Sequence, residues 1–312
     1  MNNKILGIHH ITAIAGNAQR NYDFYTKILG LRMVKKTVNF DDPGTYHFYY
    51  GNGTGTPGTI LTFFPWEGIV GGRTGTGMAT EIGYSVAKDS LEFWANRFNE
   101  LKVPHGEIAE RFGETFLPFQ DPDGLKLELI ASKYGDDRQP WITPEVSAAN
   151  ATRGFHSVTL TLSSIKPTAT ILTDIFGYEL KEQEGNRYRF STDAIPTASI
   201  VDLIEAPTVS RGLNGGGTNH HVAFRVPDEA VQMEFREKIA SKGLNITPKI
   251  DRDYFFSLYF REPGGVLFEI ATDNPGFTVD EPLNELGTSL KLPRQHEPLR
   301  AQLEKSLPVL KS

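Results

Sequence analysis

Two segments of the chain superimpose without a gap, "FQDPDGLKLELIA" at 119–131 and "FREPGGVLFEIAT" at 260–272. Phe119 falls on Phe260, Asp121 on Glu262, Pro122 on Pro263, Gly124 on Gly265 and Glu128 on Glu269. Each reads as a strand, a Pro-Gly turn and a returning strand. An internal repeat constrains architecture more than local propensity does, because every copy must build the same supersecondary unit. A search for the heads of these units finds four: "GIHHITAIAG" at His10, "ATEIGYSVA" at Glu81, "GFHSVTLTL" at His156 and "NHHVAFRVP" at His221, spaced 71, 75 and 65 residues apart.

Behind each head, apolar residues recur at steps of three and four: Ala18, Tyr22, Tyr25 and Leu29; Leu91, Trp94, Phe98 and Leu101; Ile171 and Ile175; Val231, Phe235 and Ile239. That spacing predicts four amphipathic helices. Runs rich in aromatic and β-branched residues follow, such as "TYHFYYG", "TILTFFPW", "NRYRF" and "ASIVDLI", and these predict strands. The unit is therefore βαβββ. The stretch 133–153, "KYGDDRQPWITPEVSAANATR", is polar, holds two prolines and follows neither period, which marks a linker. The expectation is an α+β fold of four βαβββ modules in two domains. Residues 1–135 would hold modules one and two, 136–153 the linker, 154–275 modules three and four, and 276–312 a tail with a helical candidate at 297–306.

Composition narrows the chemistry. With 312 residues, 39% of them hydrophobic, the chain can fill its own core. A net charge of -6 without long single-sign blocks argues against nucleic acid as a partner. No apolar stretch approaches bilayer length, and "MNNKILGIHH" lacks the pattern of a secretory signal, so the expectation is a cytoplasmic protein with no membrane partner. The absence of cysteine excludes disulfides, iron-sulfur clusters, thiolate zinc sites and cysteine nucleophiles together. Any metal must be held by His, Asp, Glu or water.

Four of the eight histidines stand in two adjacent pairs, His9-His10 and His220-His221, each opening a module. A single strand histidine is ordinarily a hydrogen-bonded or surface residue. Repetition changes the weighing: His10 and His221 share a module position, and Glu269 ends the last strand of the module that His221 begins. Two imidazoles and a carboxylate from three strands make the facial triad suited to Fe(II), with open positions for substrate and O2. His47, His105 and His296 have no such company and read as ordinary.

With paired βαβββ modules, "HHVAFRV" and "PGGVLFEI", the chain up to residue 275 resembles the vicinal oxygen chelate superfamily of glyoxalase I, bleomycin and fosfomycin resistance proteins and type I extradiol dioxygenases. The head "GIHHITAIAGN" with four modules is most like the ring-cleaving dioxygenases of hydroquinones. The resemblance implies Fe(II), with Mn(II), Zn(II) or Ni(II) as alternatives, on His10, His221 and Glu269 between the first and last modules. It also implies a surrounding set of His9, Thr12, His220, Arg252 and Tyr259, and as partners a small aromatic diol and O2, in a chain compatible with homo-oligomers. His220 or His9 would take the phenolic proton, while Arg252 and Tyr259 would orient oxygen substituents. Many two-domain extradiol enzymes confine the site to the second domain, which would put His156 in place of His10. His10 is favoured because "HHIT" mirrors "HHVA". Glu81, Glu128 and His156 would then form a leftover cluster, structural or weakly cation-binding.

Adjacent strand residues point to opposite faces, so His9 and His220 share a pocket with their neighbours only if a bulge or strand end intervenes. Two rival readings remain. One is a glyoxalase-like isomerase on Ni(II) or Zn(II), which needs a second carboxylate that "TILTFFPW" lacks. The other is a non-catalytic protein that sequesters aromatic toxins.

Overall fold

The structure, a computed structural model, describes residues 3–311; the outermost residues of the expected first domain and tail lie outside it. All four modules are present. Module one is β1 (Ile8–Ala15), α1 (Ala18–Asp23) continued by a π-helical turn at Phe24–Ile28, β2 (Arg32–Val38), β3 (Tyr46–Gly51) and β4 (Ile60–Pro65). Module two is β5 (Met78–Val86), α2 (Leu91–Leu101), β6 (Ala109–Arg111), β7 (Glu114–Gln120) and β8 (Lys126–Ala131). Module three is β9 (Phe155–Leu162), α3 (Lys166–Thr170) with a second π-helical turn at Ile171–Ile175, β10 (Glu179–Glu184), β11 (Arg187–Ser191) and β12 (Ile200–Glu205). Module four is β13 (Thr218–Val226), α4 (Glu229–Ser241), β14 (Ile250–Asp251), β15 (Phe255–Arg261) and β16 (Leu267–Pro275).

The expected grouping of modules one with two and three with four is not the one the sheets adopt. One eight-stranded sheet runs β14-β15-β16-β13-β1-β4-β3-β2 and joins module four to module one. The other runs β10-β11-β12-β9-β5-β8-β7-β6 and joins modules two and three. In each sheet two module heads pair antiparallel at the centre, β1 with β13 and β5 with β9. The chain leaves the first sheet after β4 and returns to it at β13. Those two connections meet at bridges between Gly71 and Gly216 and between Arg73 and Leu213. The glycine-rich runs "GGRTGTG" and "NGGGTN" are explained by this approach. A Cβ on Gly72 would come within 2.4 Å of the Thr218 methyl, and one on Gly215 within 2.7 Å of the Gly72 nitrogen.

Burial sorts the helices much as their spacing predicts, with Trp94 and Phe98 of α2 and Phe235 and Ile239 of α4 in the core. Three positions differ, the first being Tyr22 of α1, half-buried where Asn21 is covered. Leu101 is 44% exposed, and on α4 the fully covered residue beside Phe235 is Gln232, not Val231. Gln232 is tolerated inside because its amide donates to the carbonyls of Phe256 and Ile270.

The tail closes over module one. It forms a 3₁₀ segment at Arg294–Leu299 and α5 (Arg300–Ser306), placing Leu303 and Leu307 in the core. Lys35 on β2, wholly buried, donates to Asp280, Glu281 and the Phe277 carbonyl and lies 4.7 Å from the Tyr254 ring centre. A buried ammonium is tolerable only with such partners, and removing it strands Glu281. Lys35→Met is therefore expected to destabilise the fold by about 3 kcal/mol. A thermal unfolding midpoint equal to that of the unmodified protein would contradict this.

Candidate metal centre

Regular strands would turn His9 away from His10 and His220 away from His221. Two irregularities in the β1/β13 ladder prevent this. Ile8 pairs with Phe224 and His10 with Ala223, so the extra residue on β1 is His9. Thr12 pairs with His221 and Ala13 with Asn219, so the extra residue on β13 is His220. A bulged residue leaves the alternation and can lie alongside its neighbour. Nδ1 of His9 thereby meets Nδ1 of His10 at 2.9 Å, and Nδ1 of His220 meets Nδ1 of His221 at 2.8 Å.

These contacts set tautomers. Nε2 of His9 lies 3.1 Å from the carbonyl oxygen of Thr272, which accepts only, so the His9 proton sits on Nε2. Nδ1 of His9 must then accept from Nδ1–H of His10, which leaves a lone pair on Nε2 of His10. That is the atom aimed at Glu269. Nε2 of His10 is 3.2 Å and Nε2 of His221 2.9 Å from Oε2 of Glu269, and all three residues are buried. The other carboxylate oxygen, Oε1, accepts from Ser257.

Among the described residues these three form the cluster whose donor atoms converge closely enough to hold a metal ion. Nε2 of His221 and Oε2 of Glu269 are fully covered yet have no hydrogen-bond partner of acceptable geometry. Buried polar atoms are ordinarily paired, so two such atoms held this close suit a cation between them. Protonation favours the same use. Burial opposes ionisation of Glu269, but His10 and His221 hold its carboxyl well below the usual range, and burial lowers the His221 imidazole.

The cluster opens on a narrow cavity of about 40 Å³, lined by His10 and His221. On the module-four side stand Arg252, Phe255 and Tyr259. The Arg252 guanidinium lies 5.6 Å from the Tyr259 ring centre and 5.3 Å from that of Phe40, which stands at the mouth. Burial, aided by Glu269, raises the Tyr259 phenol, so it keeps its proton. His9 and His220 do not line this cavity. His9 is held behind His10 against Phe255, and His220 stands edge-on to Phe64 with its own pKa pushed down to about 3 by burial and by His221. Thr12 is also inside the sheet, its hydroxyl 2.8 Å from that of Thr62.

The reading of His47 as ordinary is corrected: it is a wall of the cavity. Its Nε2 lies 2.9 Å from the Thr62 hydroxyl and its Nδ1 2.9 Å from the hydroxyl of Tyr49. The signal was present in the repeat, where "HFY" at 47–49 aligns with "SLY" at 257–259. Tyr49 pairs opposite Thr62 as Tyr259 pairs opposite Glu269.

The family model described as "Glyoxalase/Bleomycin resistance protein/Dioxygenase superfamily" matches residues 7–129 and 154–270. The chain belongs to this superfamily. It is 47% identical to a Bacillus subtilis protein described as "Putative ring-cleaving dioxygenase MhqO", over 98% of this chain and 97% of the relative. It is 34% identical to the chlorohydroquinone/hydroquinone 1,2-dioxygenase of Sphingobium indicum, over 97% and 96%. A crystal structure of a Bacillus subtilis protein described as a "putative dioxygenase" superposes with a TM-score of 0.95 at 45% identity, covering 99% of this chain and 98% of that one.

The glyoxalase-type repeat lets the two sheets be compared row by row. In the first, His10, Ala223 and Glu269 form one row across β1, β13 and β16, and His221, Thr12 and Thr62 form the next across β13, β1 and β4. The equivalent rows in the second sheet are Ser157, Gly83 and Glu128, and Glu81, Thr159 and Asp202. His156 falls on the bulge of β9, the counterpart of His9 and His220, while Ser157 takes the ligand position. The leftover cluster of Glu81, Glu128 and His156 is held by the protein's own arginines. Arg187 reaches Glu81 and Asp202, Arg189 joins Asp202 to Glu114, Arg111 holds Glu128, and His156 binds Glu114 at 3.1 Å. Burial alone would raise the Glu114 carboxyl, but His156 and Arg189 bring it down to about 2.

Proposed function

We propose that this protein is a non-haem Fe(II)-dependent, ring-cleaving dioxygenase acting on hydroquinone-type aromatic diols with O2, in the cytoplasm. The observation that carries the reading is the buried His10, His221 and Glu269 cluster, whose ligand atoms converge within 4.8 Å of one another and include two covered atoms without a well-formed hydrogen bond. Full-length similarity to a hydroquinone 1,2-dioxygenase supports the substrate class. His10, His221 and Glu269 would hold the iron, which when bound would relay electrons from the diol to O2.

The chain's own groups divide the remaining tasks. Glu269 contributes the one negative charge among the ligands, and Ser257 fixes its orientation. His9 and His220 act through Nδ1 as orienters of His10 and His221, which is a different role from base, because neither opens on the cavity. Arg252 stabilises a phenolate oxygen by charge, and Tyr259 donates its retained proton to that oxygen. Phe40 and Phe64 supply apolar faces for the ring and exclude water.

Thr62 weighs against an isomerase with two carboxylate ligands. It occupies in module one the row position that Glu269 occupies in module four, and it carries no charge. Iron content and O2 uptake decide among the readings. Metal-free protein loaded anaerobically with Fe(II) is expected to consume one O2 per hydroquinone, and protein loaded with Zn(II) to consume none. Full iron occupancy without O2 uptake on hydroquinone or catechol would sink the dioxygenase reading.

A further inference from the structure

One wall of the cavity has no role in this account. Tyr49 and His47 alternate on β3 and face Thr62 on β4, with ring centres 4.1 Å apart and both residues buried. Hydrogen bonds run from Thr12 to Thr62, to His47 and to the Tyr49 hydroxyl, and Tyr49 lines the cavity. Tyr49 and Tyr259 are thus repeat counterparts that approach one cavity from opposite halves of the sheet. Arg252 acts on both phenols, but their immediate neighbours differ. Tyr259 stands beside cationic Arg252 and beside the His221 ring at 5.6 Å, a setting for an anionic oxygen at the metal. Tyr49 is backed by His47, which burial keeps uncharged, and by the rings of Tyr254, Phe255 and Phe277. That setting favours a neutral partner.

The bonding capacity of Tyr49 points the same way. If Nδ1 of His47 accepts, the Tyr49 oxygen is left as an acceptor; if Nδ1–H donates, the Tyr49 proton is left to give. A neutral hydroxyl satisfies either arrangement, being donor and acceptor at once. A diol with oxygens at opposite ends of the ring presents such a group across the cavity when its first oxygen is at the metal. In a catechol the two oxygens are adjacent and both lie at the metal end.

We propose that Tyr49 is the residue that recognises the second, neutral oxygen of a para-diol, with His47 and Thr62 fixing the direction of its hydroxyl. The inference rests on reading the site as that of a diol dioxygenase. It is tested by anaerobic calorimetric binding of hydroquinone and of phenol to the iron-loaded protein and to its Tyr49→Phe variant, an isosteric change that leaves the ligands untouched. The unmodified protein is expected to bind hydroquinone about tenfold more tightly than phenol, the size of one net hydrogen bond. Tyr49→Phe should lose that preference while keeping the affinity for phenol, because deleting the hydroxyl from protein or from ligand removes the same bond. An equal weakening of both ligands would place Tyr49 at the metal-side oxygen and overturn the proposal, as would an undiminished preference. Failure of the unmodified protein to bind either phenol would instead overturn the reading of the site beneath it.

Discussion

His221→Ala, Glu269→Ala and His10→Ala each abolish iron binding and leave a folded protein, whereas His156→Ala keeps its iron. The expectation follows from the positions of these residues in the sheets. The first three converge from β13, β16 and β1, strands paired along most of their length, so losing one side chain does not unmake the ladder. A facial triad has no spare protein ligand, and removing one donor leaves a two-coordinate site that does not compete with water for Fe(II). His156 lies in the other sheet, bound to Glu114 and Ser157 and surrounded by arginines. Elemental analysis of iron with circular dichroism of the same samples reads both quantities. Iron retained by folded His10→Ala and lost from His156→Ala would move the site to the second sheet.

Tyr259→Phe and Arg252→Leu keep their iron and lose about 100- to 1000-fold in turnover, the cost of removing one donor to a developing oxyanion. Both residues line the cavity without contributing an atom to the ligand set. Tyr259 pairs directly opposite Glu269, so its ring is carried on the strand next to the carboxylate ligand. Arg252 is held between Phe40 and Tyr259, and its loss removes the cation that favours a phenolate. Hydroquinone-dependent O2 consumption normalised to bound iron is the measurement. Rates near those of the unmodified protein in both variants would show that neither group meets the reacting oxygens.

Much of this site was legible because the repeat made it so. Aligning "PDGLKLEL" with "PGGVLFEI" singles out Glu269, and aligning the two "HH" heads singles out His10 and His221, without knowledge of how strands pair. His47 escaped because one histidine within "TYHFYYG" has no local mark of function. Its meaning comes from Thr62 standing where Glu269 stands in the other half. The placement of His9 and His220 was hidden for a related reason: adjacency on a strand suggests a base beside a ligand, whereas the bulges bring each Nδ1 onto its neighbour and neither residue lines the cavity.

The sequence by itself determined the βαβββ unit, its four copies, the absence of thiolate chemistry and, apart from the choice between His10 and His156, the residues able to hold a metal. These rest on local periodicity and on residue type, which any window of the chain displays. Only the tertiary structure decided that module one shares its sheet with module four, that the glycine-rich connections cross, and that arginines fill the second sheet's counterpart of the metal site. Those outcomes depend on β1 meeting β13 and β5 meeting β9. Pairing between strands far apart in the chain is chosen by total burial and register, and no local pattern records which edge a strand will meet.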